Sequence, residues 1–148
     1  MQVWSNEALW LPISAAIVVQ LYKFLYEWVL RGDFDLRVLA RAGGMPSSHS
    51  AMVATLVSAV GHRSGTNSDA FALSVIFAMI VMYDATGVRQ AAGKQAKVLN
   101  QIIRELFTGQ PVSEGELKEL IGHTSVEVIV GALIGVAYAF SWFAFFAR

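Results

Sequence analysis

Two histidines of this chain stand in the same setting, where a polar stretch gives way to an apolar run. His49 lies in the string GGMPSSHS at 43–50, and His123 lies in GHTSVE at 122–127. The first turn of a helix has backbone N–H groups without intrahelical partners, and small side chains there leave room for an anion such as phosphate. The pattern predicts one phosphate site built from two helix starts.

The second histidine has a carboxylate four residues downstream. His123 and Glu127 would share one face of a helix at this spacing. A carboxylate bonded to one imidazole nitrogen fixes the tautomer and raises the basicity of the other nitrogen, as a nucleophilic histidine requires. The same step continues to Gly131 and Gly135, a small-residue face that another helix can approach closely. The alternative is a histidine that caps the helix and a glutamate that reaches the membrane interface.

The first histidine is expected one turn into its own helix. Its neighbours Ser47 and Ser48 offer hydroxyls and backbone amides that suit phosphate oxygens. A histidine beside a phosphate ester is placed to donate a proton to the leaving oxygen. The alternative is that this string is only a favourable helix start.

A carboxylate also interrupts the third apolar run. Asp84 lies where insertion of a charge costs about 2.5–3.5 kcal/mol, so such a residue usually has a partner or a role. The candidate partners are Lys23, Arg89 and Lys94. A structural ion pair and a supporting role in the site both remain open.

The composition places these residues in a membrane protein. Of the 148 residues, 55% are hydrophobic and 15% are charged, the formal net charge is zero, and there is no cysteine. The absence of cysteine excludes disulfides and zinc–thiolate sites, and the neutral balance gives no argument for a nucleic-acid partner. No cofactor and no metal are expected.

Four apolar segments can be marked, at 9–30, 46–60, 69–88 and 125–146. The second is shorter than the roughly 20 residues that a spanning helix needs. It crosses obliquely, leans on its neighbours, or is re-entrant. We therefore predict an all-α fold, a small integral-membrane helical bundle of about four membrane segments plus an interfacial amphipathic helix, in a single membrane domain over 1–148.

The interfacial helix is predicted between the third and fourth segments. Four polar residues and one glycine recur there at steps of three and four, namely Arg89, Gly93, Lys97, Asn100 and Arg104. Apolar residues fall on another side, namely Val98, Leu99, Ile102, Ile103 and Leu106. A basic amphipathic helix suits an anionic membrane surface. The alternative is a solvated connecting helix without a ligand.

The charges also predict an orientation. If all four segments span, one side carries only Arg63 and Arg148 as positive residues. The other side carries Arg31, Arg37, Arg41, Arg89, Lys94, Lys97, Arg104 and Lys118. The positive-inside rule makes this second side cytoplasmic, together with the predicted site, and places the N-terminus outside. The short second segment and the small-residue face of the fourth further predict association, most simply as a homodimer.

Three strings of the chain, taken together, resemble a known family. They are GGMPSSHSA at 43–51, YDATGVRQAAGK at 83–94 and LKELIGHT at 117–124, followed by Glu127 and Val128. The chain resembles the divergent branch of the type 2 phosphatidic acid phosphatases, which are relatives of the vanadium haloperoxidases. The resemblance runs from about residue 20 to residue 135.

The resemblance implies roles for several residues. His123 matches the nucleophilic histidine, Glu127 replaces the aspartate that supports it, and His49 matches the acid histidine. Ser48 replaces a glycine of the wider superfamily, and Leu117 occupies the position of its phosphate-binding arginine. The remaining candidates for phosphate binding are Lys23, Ser47, Ser48, Arg89, Lys94 and Lys118.

The implied activity is metal-independent hydrolysis of a membrane lipid phosphate through a phosphohistidine intermediate. The alternative is a catalytically weak or inactive membrane protein that binds or moves phospholipid headgroups or another anion with the same residues. A structural subunit that depends on a partner is a third reading. Loss of phosphate release in a His123→Ala variant separates the first two.

Overall fold

The computed structural model describes residues 5–32, 34–40, 43–106 and 123–146. Over these ranges the chain forms five α-helices and one short 3-10 helix, without a strand. The α-helices are α1 (Glu7–Arg31), α2 (Ser48–Ser64), α3 (Asp69–Thr86), α4 (Val88–Leu106) and α5 (Ser125–Phe145), and the 3-10 helix is Leu36–Ala40. The all-α prediction is confirmed.

Within the residues that the structure describes, three stretches are long and apolar enough to cross a membrane. They are Glu7–Leu30, Asp69–Ile103 and Ser125–Phe145, and the second of them runs from α3 into α4. Large apolar side chains on α1, α3 and α5 are exposed, among them Leu73, Ile76 and Leu133. An apolar outer surface of this kind suits a lipid environment. The protein is a small helical membrane protein.

The remaining segment of the predicted four, α2, lies at the centre of the bundle. Its 17 residues extend over about 25 Å, less than the usual span. α1, α3 and α5 all pack against it, and Ser50, Ala51, Thr55 and Ala59 are fully buried. The segment therefore leans on its neighbours. Because its surroundings are protein rather than lipid, it tolerates hydroxyl groups that a lipid-facing helix would avoid.

α2 and α5 run parallel along a seam of small residues. A Cβ atom at Gly131 would overlap the backbone of Ser47, and one at Gly135 would overlap the backbone of Ala51. The Thr55 hydroxyl lies 2.8 Å from the Ala51 carbonyl oxygen and 2.9 Å from that of Gly135, and donates across the seam. The glycine face predicted on the fourth segment is confirmed, and its partner is α2 of the same chain.

This arrangement removes one argument for association. The predicted homodimer rested on the small-residue face of the fourth segment, and in the structure that face is occupied by α2. The homodimer stays a prediction without support from this surface.

The helix directions define two ends of the bundle. The end of α1, the start of α2, the end of α3 and the start of α5 meet at one end, which we call the site end. The start of α1, the end of α2 and the end of α5 meet at the other, which we call the aromatic end. Contacts of Trp10 with Trp142 and of His62 with Phe143 fix the aromatic end.

α4 follows α3 after Gly87 and leaves the bundle at the site end. The polar face predicted for this helix includes Asn100, yet Asn100 is buried together with Ala96. Small side chains allow close packing, and Ala92, Ala96 and Asn100 follow one another at four-residue steps along one edge. α4 packs by this edge, which leaves Lys97 and Val98 exposed.

Candidate active site at two helix starts

The His123–Glu127 pair forms at the start of α5. Nδ1 of His123 lies 2.9 Å from Oε2 of Glu127. α5 begins only at Ser125, so His123 precedes the helix, and the expectation that the two residues share a helix face is wrong. The contact forms because the same carboxylate oxygen also accepts from the Thr124 N–H at 3.2 Å, while the Thr124 hydroxyl accepts from the Glu127 N–H at 3.3 Å. This reciprocal capping box turns the carboxylate back toward His123.

The hydrogen bond determines which imidazole nitrogen is available. With Glu127 ionised, its carboxylate only accepts hydrogen bonds, so Nδ1 of His123 keeps a proton and donates a hydrogen bond to Oε2. Nε2 then holds the lone pair. His123 is 5% exposed, so the imidazole is held in a largely desolvated position.

Backbone hydrogen bonds join three elements around this histidine. The His123 N–H donates to the Ala85 carbonyl near the end of α3, at 3.0 Å, and the Ser47 N–H donates to the Glu127 carbonyl at 3.1 Å. The second bond ties the start of α2 to the start of α5. The prediction that these two helix starts lie together is confirmed.

Ser47 is the N-cap residue of α2. Its hydroxyl accepts from the Ser50 N–H at 3.3 Å and from the Ser50 hydroxyl at 2.9 Å, and the residue is fully buried. Its own N–H is bonded to Glu127. The Ser47 amide is therefore engaged within the protein, which departs from its predicted part in phosphate binding. A cap residue commonly has its hydroxyl committed in this way.

Ser48 is the neighbouring candidate ligand. It opens α2 and is 7% exposed, and its hydroxyl makes no hydrogen bond to any residue within the described ranges. Since the amide of the first helical residue has no intrahelical acceptor, Ser48 offers donors that Ser47 does not.

Lys23 brings a positive charge to the site end. It is 7% exposed on α1, and its Nζ donates to the Gly43 carbonyl at 3.1 Å. Gly43 and Gly44 have φ values of 105° and 78°, a conformation that side chains with a Cβ rarely adopt. The Glu127 carboxylate also attracts this ammonium group electrostatically. Lys23 thus bonds the loop before α2 and is also within electrostatic reach of the Glu127 carboxylate.

The other predicted site residues lie on α2, α3 and α4 or outside the described residues. His49 is half-buried in the first turn of α2, and Asp84 is half-buried one residue before Ala85. The side chain of Arg89 and the whole of Lys118 lie outside the described residues. Lys94 is exposed on α4 and makes no hydrogen bond or ion pair with the described part of the chain.

One residue that orients the site was missed in the sequence. Thr124 completes the capping box that orients Glu127, and the string TSVE at 124–127 carries the usual signature of that motif. The Ala85 carbonyl has no comparable signal, because every residue has a backbone carbonyl.

Among the residues that the structure describes, no group of three or more histidine, cysteine or acidic side chains is placed to hold a metal ion.

Comparison with known proteins identifies the family of this chain. The sequence matches the Divergent PAP2 family over residues 4–138. The chain belongs to this family. It is similar to YuiD of Bacillus subtilis (strain 168), described as an uncharacterized membrane protein, with 36% identity over 147 residues, covering 92% of this chain and 93% of the relative. No solved structure gives a significant match.

Membership confirms the resemblance inferred from the three strings. The matched range includes both helix starts, Asp84 and the His123–Glu127 pair. The protein is therefore a phosphatase-related membrane protein of the Divergent PAP2 family.

Proposed function

We propose that the protein is a metal-independent phosphatase that acts on a membrane lipid phosphate through a phosphohistidine intermediate. The observation that supports this most is the hydrogen bond from Nδ1 of His123 to Glu127. It orients the ring, leaves the Nε2 lone pair for attack and stabilises the imidazolium that develops as the phosphorus–nitrogen bond forms.

In the first step Nε2 of His123 attacks the phosphorus in line with the ester oxygen. The phosphorus–nitrogen bond forms, and the phosphorus–oxygen bond to the lipid breaks. The leaving oxygen takes a proton from His49, which acts as the general acid. The products of this step are the lipid alcohol and a phosphohistidine.

In the second step water attacks the phosphohistidine. The phosphorus–nitrogen bond breaks, inorganic phosphate leaves, and the proton lost by the water returns to His49. Glu127 stabilises the positive charge on the His123 ring through both steps and does not touch the substrate. Asp84, next to the carbonyl that anchors His123, is proposed as a supporting residue.

Charge on the transferring phosphoryl group requires positive partners. Lys23 has the strongest structural support, because it is buried at the site end and its ammonium group is attracted by the Glu127 carboxylate. Ser48 adds donors at the start of α2. We assign Arg89 and Lys118 to the same role on sequence grounds alone. Lys94 is exposed on α4 and makes no hydrogen bond or ion pair with the described part of the chain, so we assign it no contact with the transferring phosphoryl group.

A binding protein is the second candidate. The Ser47 amide is already bonded to Glu127, and Leu117 stands where the superfamily has an arginine. A site with fewer donors stabilises the charge on a transferring phosphoryl group less well, and turnover is then slow. Such a site favours a protein that binds or moves phospholipid headgroups, or another anion.

Phosphate release from lipid phosphates by the detergent-purified protein in EDTA tests the two candidates. We expect release by the wild type, none by His123→Ala and unchanged release by His62→Ala, whose histidine lies at the aromatic end. Equal release by the wild type and His123→Ala would refute the enzyme. Absence of release, with lipid phosphate binding retained, would support the binding protein.

We further propose that the site end faces the cytoplasm and that the N-terminus lies outside. This orientation rests on the distribution of lysine and arginine between the two ends of the bundle. It places the site at the membrane surface from which the headgroup of an inner-leaflet lipid phosphate is reached.

A further inference from the structure

α4 presents an unusual surface at the site end of the bundle. Val98, Leu99 and Ile102 are 57%, 47% and 44% exposed, although they form the apolar side of the helix. Lys94 and Lys97 are exposed on the adjoining polar side. The buried edge of Ala96 and Asn100 therefore leaves both a basic and an apolar surface outward.

The length of α3 indicates where α4 begins relative to a membrane that α3 crosses. α3 has 18 residues and extends over about 27 Å, close to the thickness of the hydrocarbon core. Tyr83 near the end of α3 is 73% exposed, and Val88 at the start of α4 is 59% exposed. The outer apolar surface of α3 thus continues directly onto α4, which favours lipid over a protein partner as its neighbour.

The charge of α4 indicates which lipid. Between residues 88 and 103 there are one arginine and two lysines, and there is no acidic residue. Lys94, Gln95, Val98 and Leu99 line a shallow, open groove along α4. An ammonium group beside exposed apolar side chains matches a phosphate group followed by an acyl chain.

We propose that α4 lies in the plane of the membrane surface and binds an anionic phospholipid in this groove. Lys94 contacts the lipid phosphate, Lys97 adds long-range attraction, and Val98 and Leu99 contact the first part of the acyl chain. This lipid site is separate from the His123 site and does not depend on phosphatase activity.

Site-specific fluorescence quenching tests the proposal on the full-length protein in vesicles. The chain has no cysteine, so Leu99→Cys and Lys97→Cys each provide a single position for an environment-sensitive label. The two positions lie about 200° apart around the helix. The vesicles are phosphatidylcholine and contain a lipid with a nitroxide near its headgroup, supplied either as phosphatidylglycerol or as phosphatidylcholine at equal mole fraction.

We expect the label at Leu99→Cys to be quenched by nitroxide lipid, and the label at Lys97→Cys by iodide in the water. Quenching at Leu99→Cys should be several-fold stronger with nitroxide phosphatidylglycerol than with nitroxide phosphatidylcholine. In the Leu99→Cys background, Lys94→Gln with Lys97→Gln should abolish that preference, and Lys94→Arg with Lys97→Arg should retain it. Quenching by phosphatidylcholine, unchanged in all of these proteins, controls for folding.

Four results would overturn the proposal. Equal quenching by the two lipids, or a preference that survives the glutamine variants, would show that the groove does not select anionic lipid. Protection of the Leu99→Cys label from both lipid and iodide would show a protein partner on this face. Lipid quenching at both positions would show that α4 is immersed rather than lying at the surface.

Discussion

Two histidines at opposite ends of the same helix pair occupy contrasting environments. His62, in the last turn of α2, is exposed and stacks on Phe143 of α5, with ring centroids 4.1 Å apart and planes 9° apart. His123, just before α5, is 5% exposed and bonds Glu127 through Nδ1. One histidine contributes a ring face, and the other contributes an oriented nitrogen.

The residues around the two histidines differ as well, being aromatic at one end and polar at the other. At the aromatic end, Trp10 and Trp142 meet edge to face at 4.7 Å, an arrangement that stabilises packing. At the site end, Lys23, Ser47 and His123 are buried, and burial of polar groups costs free energy unless each is paired. The contacts at the aromatic end are packing contacts. At the site end each buried polar group has a partner: Lys23 bonds the Gly43 carbonyl, Ser47 bonds Ser50, and His123 bonds Glu127. These pairs lie at the end of the bundle that holds the histidine we propose as the nucleophile.

The largest expected effect comes from removing the charge beside His123. Glu127→Gln keeps an acceptor for the capping box but removes the carboxylate that stabilises the imidazolium. We expect phosphate release to fall on the order of 10³-fold, about 4 kcal/mol of transition-state stabilisation, with little change in the melting temperature. Steady-state phosphate release and thermal unfolding in detergent measure the two quantities.

Glu127→Asp is the matched control for this prediction. It retains the charge and restores the residue of the wider superfamily, although the side chain is one methylene shorter. We expect activity between those of the wild type and Glu127→Gln. Equal activity in all three proteins would show that the pair is structural, and the binding protein would then be the better conclusion.

Much of the site end could be predicted from the sequence because its signals are local. The helix start before His49 and the spacing of His123 and Glu127 lie within short strings. The spacing of His123 and Glu127 predicted a shared helix face, but Thr124 caps α5 and leaves His123 outside the helix. The occupation of the Ser47 amide by the Glu127 carbonyl was beyond local reasoning, because that bond joins residues 80 positions apart in the chain.

The next largest effect is expected in the seam that joins the two ends. Gly135→Leu places side-chain atoms where the Ala51 backbone already lies, so α2 and α5 must separate. We expect a loss of about 3 kcal/mol or more in the free energy of unfolding, at the upper end of overpacking effects. Ala137→Leu, on the exposed side of the same helix, should be nearly neutral. A similar loss in both variants would show that α2 does not contact α5 through this glycine.

Binding of an oxyanion should depend on the residues of the site end. Vanadate can adopt the five-coordinate geometry of phosphoryl transfer on a histidine, whereas sulfate cannot. At about 100 times its dissociation constant, vanadate should stabilise the wild type by about 2.7 kcal/mol, and sulfate by much less. Lys23→Met should weaken the effect, and His123→Ala should abolish it. A wild type whose melting temperature ignores vanadate has no site preorganised for phosphoryl transfer.

The glycine face and α4 show where tertiary packing limits prediction. The spacing of Gly131 and Gly135 indicates a close contact but not its partner, and the partner is α2 of the same chain rather than a second copy. In α4 the helical periodicity is correct, yet Asn100 is buried. Periodicity gives the faces of a helix, whereas the edge by which it packs depends on neighbours that are distant in sequence.

The smallest effect is expected at the aromatic end. His62→Ala removes the ring stacked on Phe143, and because His62 is exposed we expect a loss below about 1 kcal/mol in the free energy of unfolding. His62→Phe keeps a ring at this position and should restore stability, which thermal unfolding in detergent can measure. Phosphate release and vanadate binding should be unchanged in both variants, since His62 lies at the opposite end of α2 from the His123 site. A loss of either property in both variants, without loss of folding, would show that the two ends are coupled along the seam between α2 and α5.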